Sequence, residues 1–354
     1  MSAADDQRIA AALLRYLSVR LGKGALAYAE SPLRISGGFD TAIFGFTLNS
    51  VDLPGRLILR LGKPSSDPAR FALEAAVQNA LVSMGFPAPL AYLSEPSTTH
   101  LGGPFMIMQR LDGRPLAHEL EQVIAAPELT SKLKGMLGLR SLFGAINSRW
   151  VDSQVRLHEL PTAPLLKAIA DAGLDQRAAT FAGQRARLVA MIDRASLTEL
   201  KPGLAWLEAN NPAASRAVVI CHGDFHPLNI MADGGGVTGV IDWANVVIAP
   251  AEMDVGSAIA NIATVPFDVP VALKPVLRAM IGSVLRGYVR SYRARRPLDA
   301  TALRYFQAFR SFAQLTSALI AVRAGQPAGA FGSETGVRSL VRYFGRRSGV
   351  KIRL

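Results

Sequence analysis

The chain has a single cysteine, Cys221, in 354 residues. That excludes a disulfide within the chain, and a lone thiol fits the reducing setting of a cytoplasmic protein. No uninterrupted apolar run reaches the roughly 20 residues that a membrane-spanning helix needs. The opening stretch, MSAADDQRIAAALLRYLSVRLGKG, is acidic first and amphipathic afterwards, unlike the basic, apolar, small-residue order of a secretory signal. Charged residues make up only 19% of the chain and apolar ones 50%, a balance that excludes a disordered polymer. Acids are scarce beyond residue 254: three of them face sixteen Lys and Arg, which accounts for the whole net charge of +12. A basic region of this kind suits nucleic acid, an anionic membrane or an anionic substrate, or is a solvated arginine-rich surface.

Two patterns succeed one another along the chain. Residues 5–21 have the period of an amphipathic helix. LRISGGFDTAIFGFTL and GRLILRLG then alternate as paired strands do. DPARFALEAAVQNALVSMG reads as a helix capped by Asp67, opened by Pro68 and closed by Gly85. GGPFMIMQRL reads as a buried strand and LDGRPL as a hinge. Beyond it, helices are expected near 131–147, 175–195, 271–293 and 299–325. Two strands, RAVVICHGD and GVTGVIDW, are expected to pair through a MADGGG turn. The expected plan is α+β: a small β-rich lobe over residues 1–110 and a larger, mainly helical lobe over 111–354.

Five histidines serve the whole chain, yet two of them flank an acid in HGDFHPLNI. Asp224 follows a buried strand, Asn229 lies five residues on, and Asp242 ends the next strand. Paired strands bring Asn229 and Asp242 towards one point. One carboxylate and one amide oxygen form a sparse, hard donor set, suited to Mg²⁺ completed by phosphates and water and poor for zinc. Asp224, not needed for the metal, is free to accept a proton from an attacking hydroxyl or to orient it. His222 reads as a brace of the loop. His226 is either a donor to a phosphate or a structural contact. Trp243 reads as packing and Cys221 as a small buried hydrophobe.

HGDFHPLNI followed by VIDWANVVIAPAEMDV resembles the aminoglycoside phosphotransferase family, also called the phosphotransferase enzyme family, with choline and fructosamine kinases as relatives. The resemblance implies a protein-kinase-like two-lobed fold and an enzyme that uses Mg²⁺ with ATP or GTP. It implies Asp224 as catalytic base, His226 near the transferred phosphate, and Asn229 and Asp242 as metal ligands. Upstream, ISGGFDTAIFGFTL is similar to the nucleotide-covering hairpin, with Gly37 and Gly38 in its turn. LILRLG is similar to the strand bearing the phosphate-binding cation, here Arg60 with Lys63 as the substitute, and RFALEAAVQNAL to the helix bearing its partner, Glu74. Asp254 falls at a position that supports the loop.

The expected activity is transfer of a γ-phosphoryl group to a hydroxyl, or less readily an amine, of a small molecule. The rival expectation is a kinase-like nucleotide-binding scaffold docked through its basic region on nucleic acid or membrane. That region also argues against a polycationic antibiotic as acceptor.

Overall fold

A computed structural model describes residues 3–24, 26–35, 41–118, 144, 146–212, 216–266, 274–326 and 329–354. Contacts divide the chain into two units. The first comprises Met1–Gly113, Ala163–Asp175 and Met231–Ala244; the second comprises Arg114–Thr162, Gln176–Ile230 and Asn245–Leu354.

The first unit is built on an antiparallel sheet of five strands: β1 (Tyr28–Ile35), β2 (Thr41–Leu48), β3 (Arg56–Gly62), β4 (Ala91–Glu95) and β5 (Phe105–Gln109), in the order β1-β2-β3-β5-β4. Strand β3 decides the sheet's two faces, because successive side chains point to opposite sides. Leu57, Leu59 and Leu61 join Phe44, Phe46, Phe105 and Ile107 under helix α1 (Ala3–Arg20), which contributes Leu13 and Leu17. Ile58 joins Met106, Met108, Ala91 and Phe71, on the side of helix α2 (Pro68–Ser83). Arg60, in register with Ile43 and Met106, shares this second face with Ile58. Helix α2 starts as its sequence dictates: Asp67 accepts from the Ala69 amide at 3.0 Å, with Pro68 in the first turn.

The second unit is helical. Its described helices are α3 (146–158), α5 (Phe181–Arg194), α6 (Lys201–Ala209), α7 (Ala251–Thr264), α8 (Lys274–Arg293), α9 (Ala300–Arg323) and α10 (Glu334–Ser348); α4 (Thr162–Asp171) falls almost wholly in the first unit. Phe181, Phe306, Phe309, Phe312 and Phe344 form the centre of its core. Helices α7 and α9 meet closely at Gly256, where a Cβ would stand 3.0 Å from the Cβ of Phe306. Thr180, Asp299 and Ser333 cap α5, α9 and α10 by accepting from amides at 3.1, 2.8 and 3.0 Å.

Three expectations need correction or limitation. Strands RAVVICHGD and GVTGVIDW are not partners. The hairpin joins β8 (Ile230–Asp233) to β9 (Gly236–Val240), whereas β7 (Val219–Cys221) pairs with β10 (Val247–Ala249). The physical reason is the turn: Asp233 Oδ1 accepts from the Gly235 and Gly236 amides at 2.8 and 3.2 Å, so the residues directly flanking the turn become its strands. Strand β6 is the short Arg114–Pro115 segment. The helix expected over 175–195 begins only at Phe181, after a 3-10 turn at Gln176–Ala179, because Thr180 takes the cap. The helix expected over 131–147 lies almost wholly outside the described residues, as do Gly37 and Gly38.

Candidate active site

Strand β7 delivers Cys221 opposite Val247 of β10, and the chain then turns sharply. Gly223 makes the turn at φ +80°, and a Cβ there would lie 2.2 Å from the Asn245 carbonyl oxygen. Both the left-handed backbone and the space demand glycine. Gly223→Ala is therefore expected to lower stability by about 2 kcal/mol or more, read from a chemical denaturation midpoint. An unchanged midpoint would show that the turn relaxes freely.

The turn is held from beneath by a buried polar cluster. Asp254 of α7, fully buried, accepts from the Gly223 amide at 2.7 Å through one oxygen. Its other oxygen meets Gln154 Nε2 and His158 Nε2, both at 3.1 Å. His158 Nδ1 lies 2.6 Å from the Tyr292 hydroxyl, and Tyr288 donates to Gln154 Oε1 at 2.5 Å. Trp150 stacks on Tyr288 at 3.8 Å between ring centres and donates to the Phe225 carbonyl at 3.1 Å. Burial would raise the Asp254 pKa, but His158 and the other donors outweigh it and hold the carboxyl below its ordinary range. Each buried polar group thus finds a partner, which rigidifies the loop above it.

His222 is buried too, and its Nδ1 accepts from the Asp224 amide at 3.2 Å. Cys221 is fully buried, and burial pushes its thiol well up, away from nucleophile chemistry. Both side chains serve the loop's packing.

Asp224 crowns the loop. Its Oδ1 receives Asn261 Nδ2 of α7, with His226 Nε2 at 3.4 Å and Arg310 Nη2 of α9 at 3.5 Å. Among the described residues all three approach Oδ1, and Oδ2 takes none of them. Burial favours the neutral acid, yet the His226 ring and the Arg310 guanidinium overcome it and hold the carboxyl far below the usual carboxylate range. Asp224 is a fixed anion, aimed by its neighbours. Asn229, nine-tenths buried, donates Nδ2 to the Asp224 carbonyl at 3.0 Å. It is the residue immediately before β8.

The remaining candidates lie in the first unit. Arg60 donates Nη1 to Glu74, which is buried on α2, and its Nη2 stands 3.7 Å from Asp242 Oδ1. Burial pushes the Glu74 carboxyl up while Arg60 opposes it. Arg60 Nε is buried and has no hydrogen-bond partner among the described residues. An orphaned donor on a fixed cation fits an anionic phosphate, since an unpaired buried N–H is otherwise costly. Lys63 is exposed, so Arg60 is the residue paired with the helix. Asp242 follows β9 at φ +66°, a strained setting for a non-glycine residue, and its side chain is 44% exposed. Trp243 beside it is fully buried, donates to the Val240 carbonyl at 2.8 Å and meets Phe86 edge-on: it packs.

Among the described residues no group of three or more His, Cys, Asp or Glu forms a metal cage. Asn229 of the second unit carries an amide oxygen and Asp242 of the first a carboxylate, each a hard donor of the kind magnesium takes.

The model of the phosphotransferase enzyme family matches residues 33–324. The chain belongs to this family. Among solved structures it is similar in fold to a Ralstonia eutropha protein assigned as an aminoglycoside phosphotransferase: 18% identity, TM-score 0.59, covering 96% of this chain and 98% of that one. A thermostable mutant of aminoglycoside phosphotransferase APH(4)-Ia, in ternary complex with AMP-PNP and hygromycin B, is similar at 16% identity and a TM-score of 0.54, over 95% and 98% of the two chains. A GDP and kanamycin complex of APH(2")-IIIa is similar at 13% and 0.51, over 95% and 99%. No curated protein matches the sequence. At these identities the shared property is the fold, so the kinase-like α+β architecture expected from the sequence is the one present.

Sequence reasoning missed Asn261, Arg310 and Gln314. The signal was there: Asn261 lies two helical turns after Asp254, on the same face of α7, and Arg310 and Gln314 lie one turn apart in a largely apolar α9. His158, Gln154 and Tyr292 carried none, because only tertiary packing unites them with Asp254. No described helix is long and apolar enough to cross a membrane.

Proposed function

We propose that this member of the phosphotransferase family moves the γ-phosphoryl group of ATP or GTP to a hydroxyl of a small molecule. The observation that carries the reading is Asp224: a carboxylate whose Oδ1 is hydrogen-bonded by Asn261 and faced by His226 and Arg310, while Oδ2 takes none of these three described groups. Asp224 Oδ2 accepts a hydrogen bond from the acceptor hydroxyl and aligns its oxygen with the phosphorus. The new O–P bond forms, the bond to the bridging oxygen breaks, and the nucleoside diphosphate leaves with that electron pair. Because its pKa is held so low, Asp224 orients the hydroxyl first and takes its proton late, as a loose transition state permits.

Arg60, positioned by Glu74, grips the α- and β-phosphates with its guanidinium edge. Asn229 and Asp242 would hold magnesium, which supplies neutralisation of the phosphate charge. His226 stands beside the Asp224 carboxylate, its Nε2 3.4 Å from Oδ1. Catalysis on this reading is positioning and charge stabilisation, with no covalent enzyme intermediate.

The test is release of ADP or GDP by purified protein with magnesium and a panel of hydroxylated small molecules. Release that depends on both metal and acceptor is expected. Release that ignores the acceptor would show a nucleotidase instead.

A further inference from the structure

Arg310 has no place in the family pattern read from the sequence, yet it stands beside the proposed reactive carboxylate. Its helix, α9, is apolar around it: Phe306, Phe309 and Phe312 face the core. Arg310 is instead drawn out of that core by polar partners. Its Nε donates to Asn261 Oδ1 at 2.8 Å, and Nη2 lies 3.5 Å from Asp224 Oδ1. Gln314 Nε2, one turn on, donates to the same Asn261 oxygen at 2.9 Å. These contacts fix the amide's sense: its oxygen receives two donors and its nitrogen reaches Asp224. With Asn261 so locked, the guanidinium plane is held rather than free to swing.

Two consequences follow for an acceptor. An ammonium group approaching Asp224 meets a carboxylate already countered by Arg310, so a polycation gains little there and is repelled by the guanidinium. Conversely, Nη1 of Arg310 bonds to none of the described residues, and the side chain retains 18% exposure. A planar guanidinium with one edge unspent is matched to an oxyanion.

We propose that Arg310 determines acceptor specificity: the acceptor is a small hydroxylated anion whose carboxylate or phosphate group docks on Arg310 while its hydroxyl, a few bonds away, docks on Asp224 Oδ2. This rests on the phosphotransferase reading above. Kanamycin and hygromycin B, which the similar structures hold, are then poor acceptors for this chain.

The test is a matched acceptor series, 4-hydroxybutyrate, 1,4-butanediol and 4-aminobutanol with their shorter and longer homologues, plus kanamycin and hygromycin B. Wild type, Arg310→Gln and Arg310→Lys are compared by ADP or GDP release, with binding of MgATP and MgGTP measured separately by calorimetry. In the wild type, kcat/KM should be highest for the hydroxy acids and lowest for the amines. Arg310→Gln should lose at least tenfold for the acids, chiefly in KM, and flatten the charge order, while Arg310→Lys keeps the order. A loss shared equally by acid, diol and amine would reduce Arg310 to a structural brace and overturn the inference. So would a wild-type preference for diol or amine, a reading that stands even if Arg310→Gln fails to fold. Nucleotide binding without turnover of any hydroxy acid overturns this inference alone. Absence of nucleotide binding overturns the phosphotransferase reading, and this inference with it.

Discussion

Asp224→Asn should lower kcat for phosphoryl transfer by about 10²- to 10⁴-fold, the usual worth of a positioned acid–base group, while MgATP still binds. The substitution keeps the size of the side chain and removes its charge, so two effects separate. Loss of the anion removes the acceptor's anchor at Oδ2. It also leaves Arg310 beside a neutral amide, and an unbalanced, largely buried cation is destabilising. The unfolding midpoint should therefore fall as well, and activity must be measured well below it. The pH dependence has a definite sign. The neighbours depress the Asp224 pKa below its unfolded value, so its stabilising contribution is complete above roughly pH 4 and is lost as pH falls through the folded-state value. Accordingly kcat/KM should show no acid limb from Asp224 between about pH 5 and 8. Turnover by Asp224→Asn within a few fold of wild type would remove this residue from the chemistry.

Asp242→Gly should abolish magnesium-dependent turnover, a loss of roughly 10³-fold or more, without lowering the unfolding midpoint. The two expectations pull apart because Asp242 sits at φ +66°, where glycine is at ease and a side chain is strained. Removing its carboxylate also relieves a repulsion that raises the buried Glu74. Its partly exposed ion pair with Arg60, at 3.7 Å, is worth at most about 1 kcal/mol in return. A residue kept in an unfavourable conformation, whose removal does not destabilise the fold, is kept for its function. Magnesium-dependent release of ADP or GDP checks the first half and thermal melting the second. A large drop in the midpoint would make Asp242 a structural residue.

The sheet unit was legible because local patterns decide it. The alternation in GRLILRLG put the leucines on one face and Arg60 on the other, and Asp67, Pro68 and Gly85 marked the bounds of α2. His222, Asp224 and Asn229 drew attention in the sequence because they lie in one loop whose chemistry is compressed into few residues, whereas Asp254, thirty residues on in α7, was reached through the family resemblance. The MADGGG turn was legible but its first strand was not: RAVVICHGD was expected to pair through it, whereas the Asp233 turn selects the short Ile230–Asp233 strand. The surroundings of Asp224 were not legible. Arg310 and Gln314 are common polar residues on a long helix, and only the packing of α9 on α7 gives them a role.

The cluster beneath Gly223 joins groups far apart along the chain: His158 meets Tyr292 across 134 positions, and Gln154 meets Asp254 across 100. Such long closures are entropically slow to form and reward the chain only when the last partner docks. While the polypeptide is being synthesised, the HGDFHPLNI segment is complete long before Tyr292 or Arg310 exists. A nascent chain therefore carries Asp224 before the Arg310 and Gln314 groups that surround it exist, and the site is completed only when the distal helices settle.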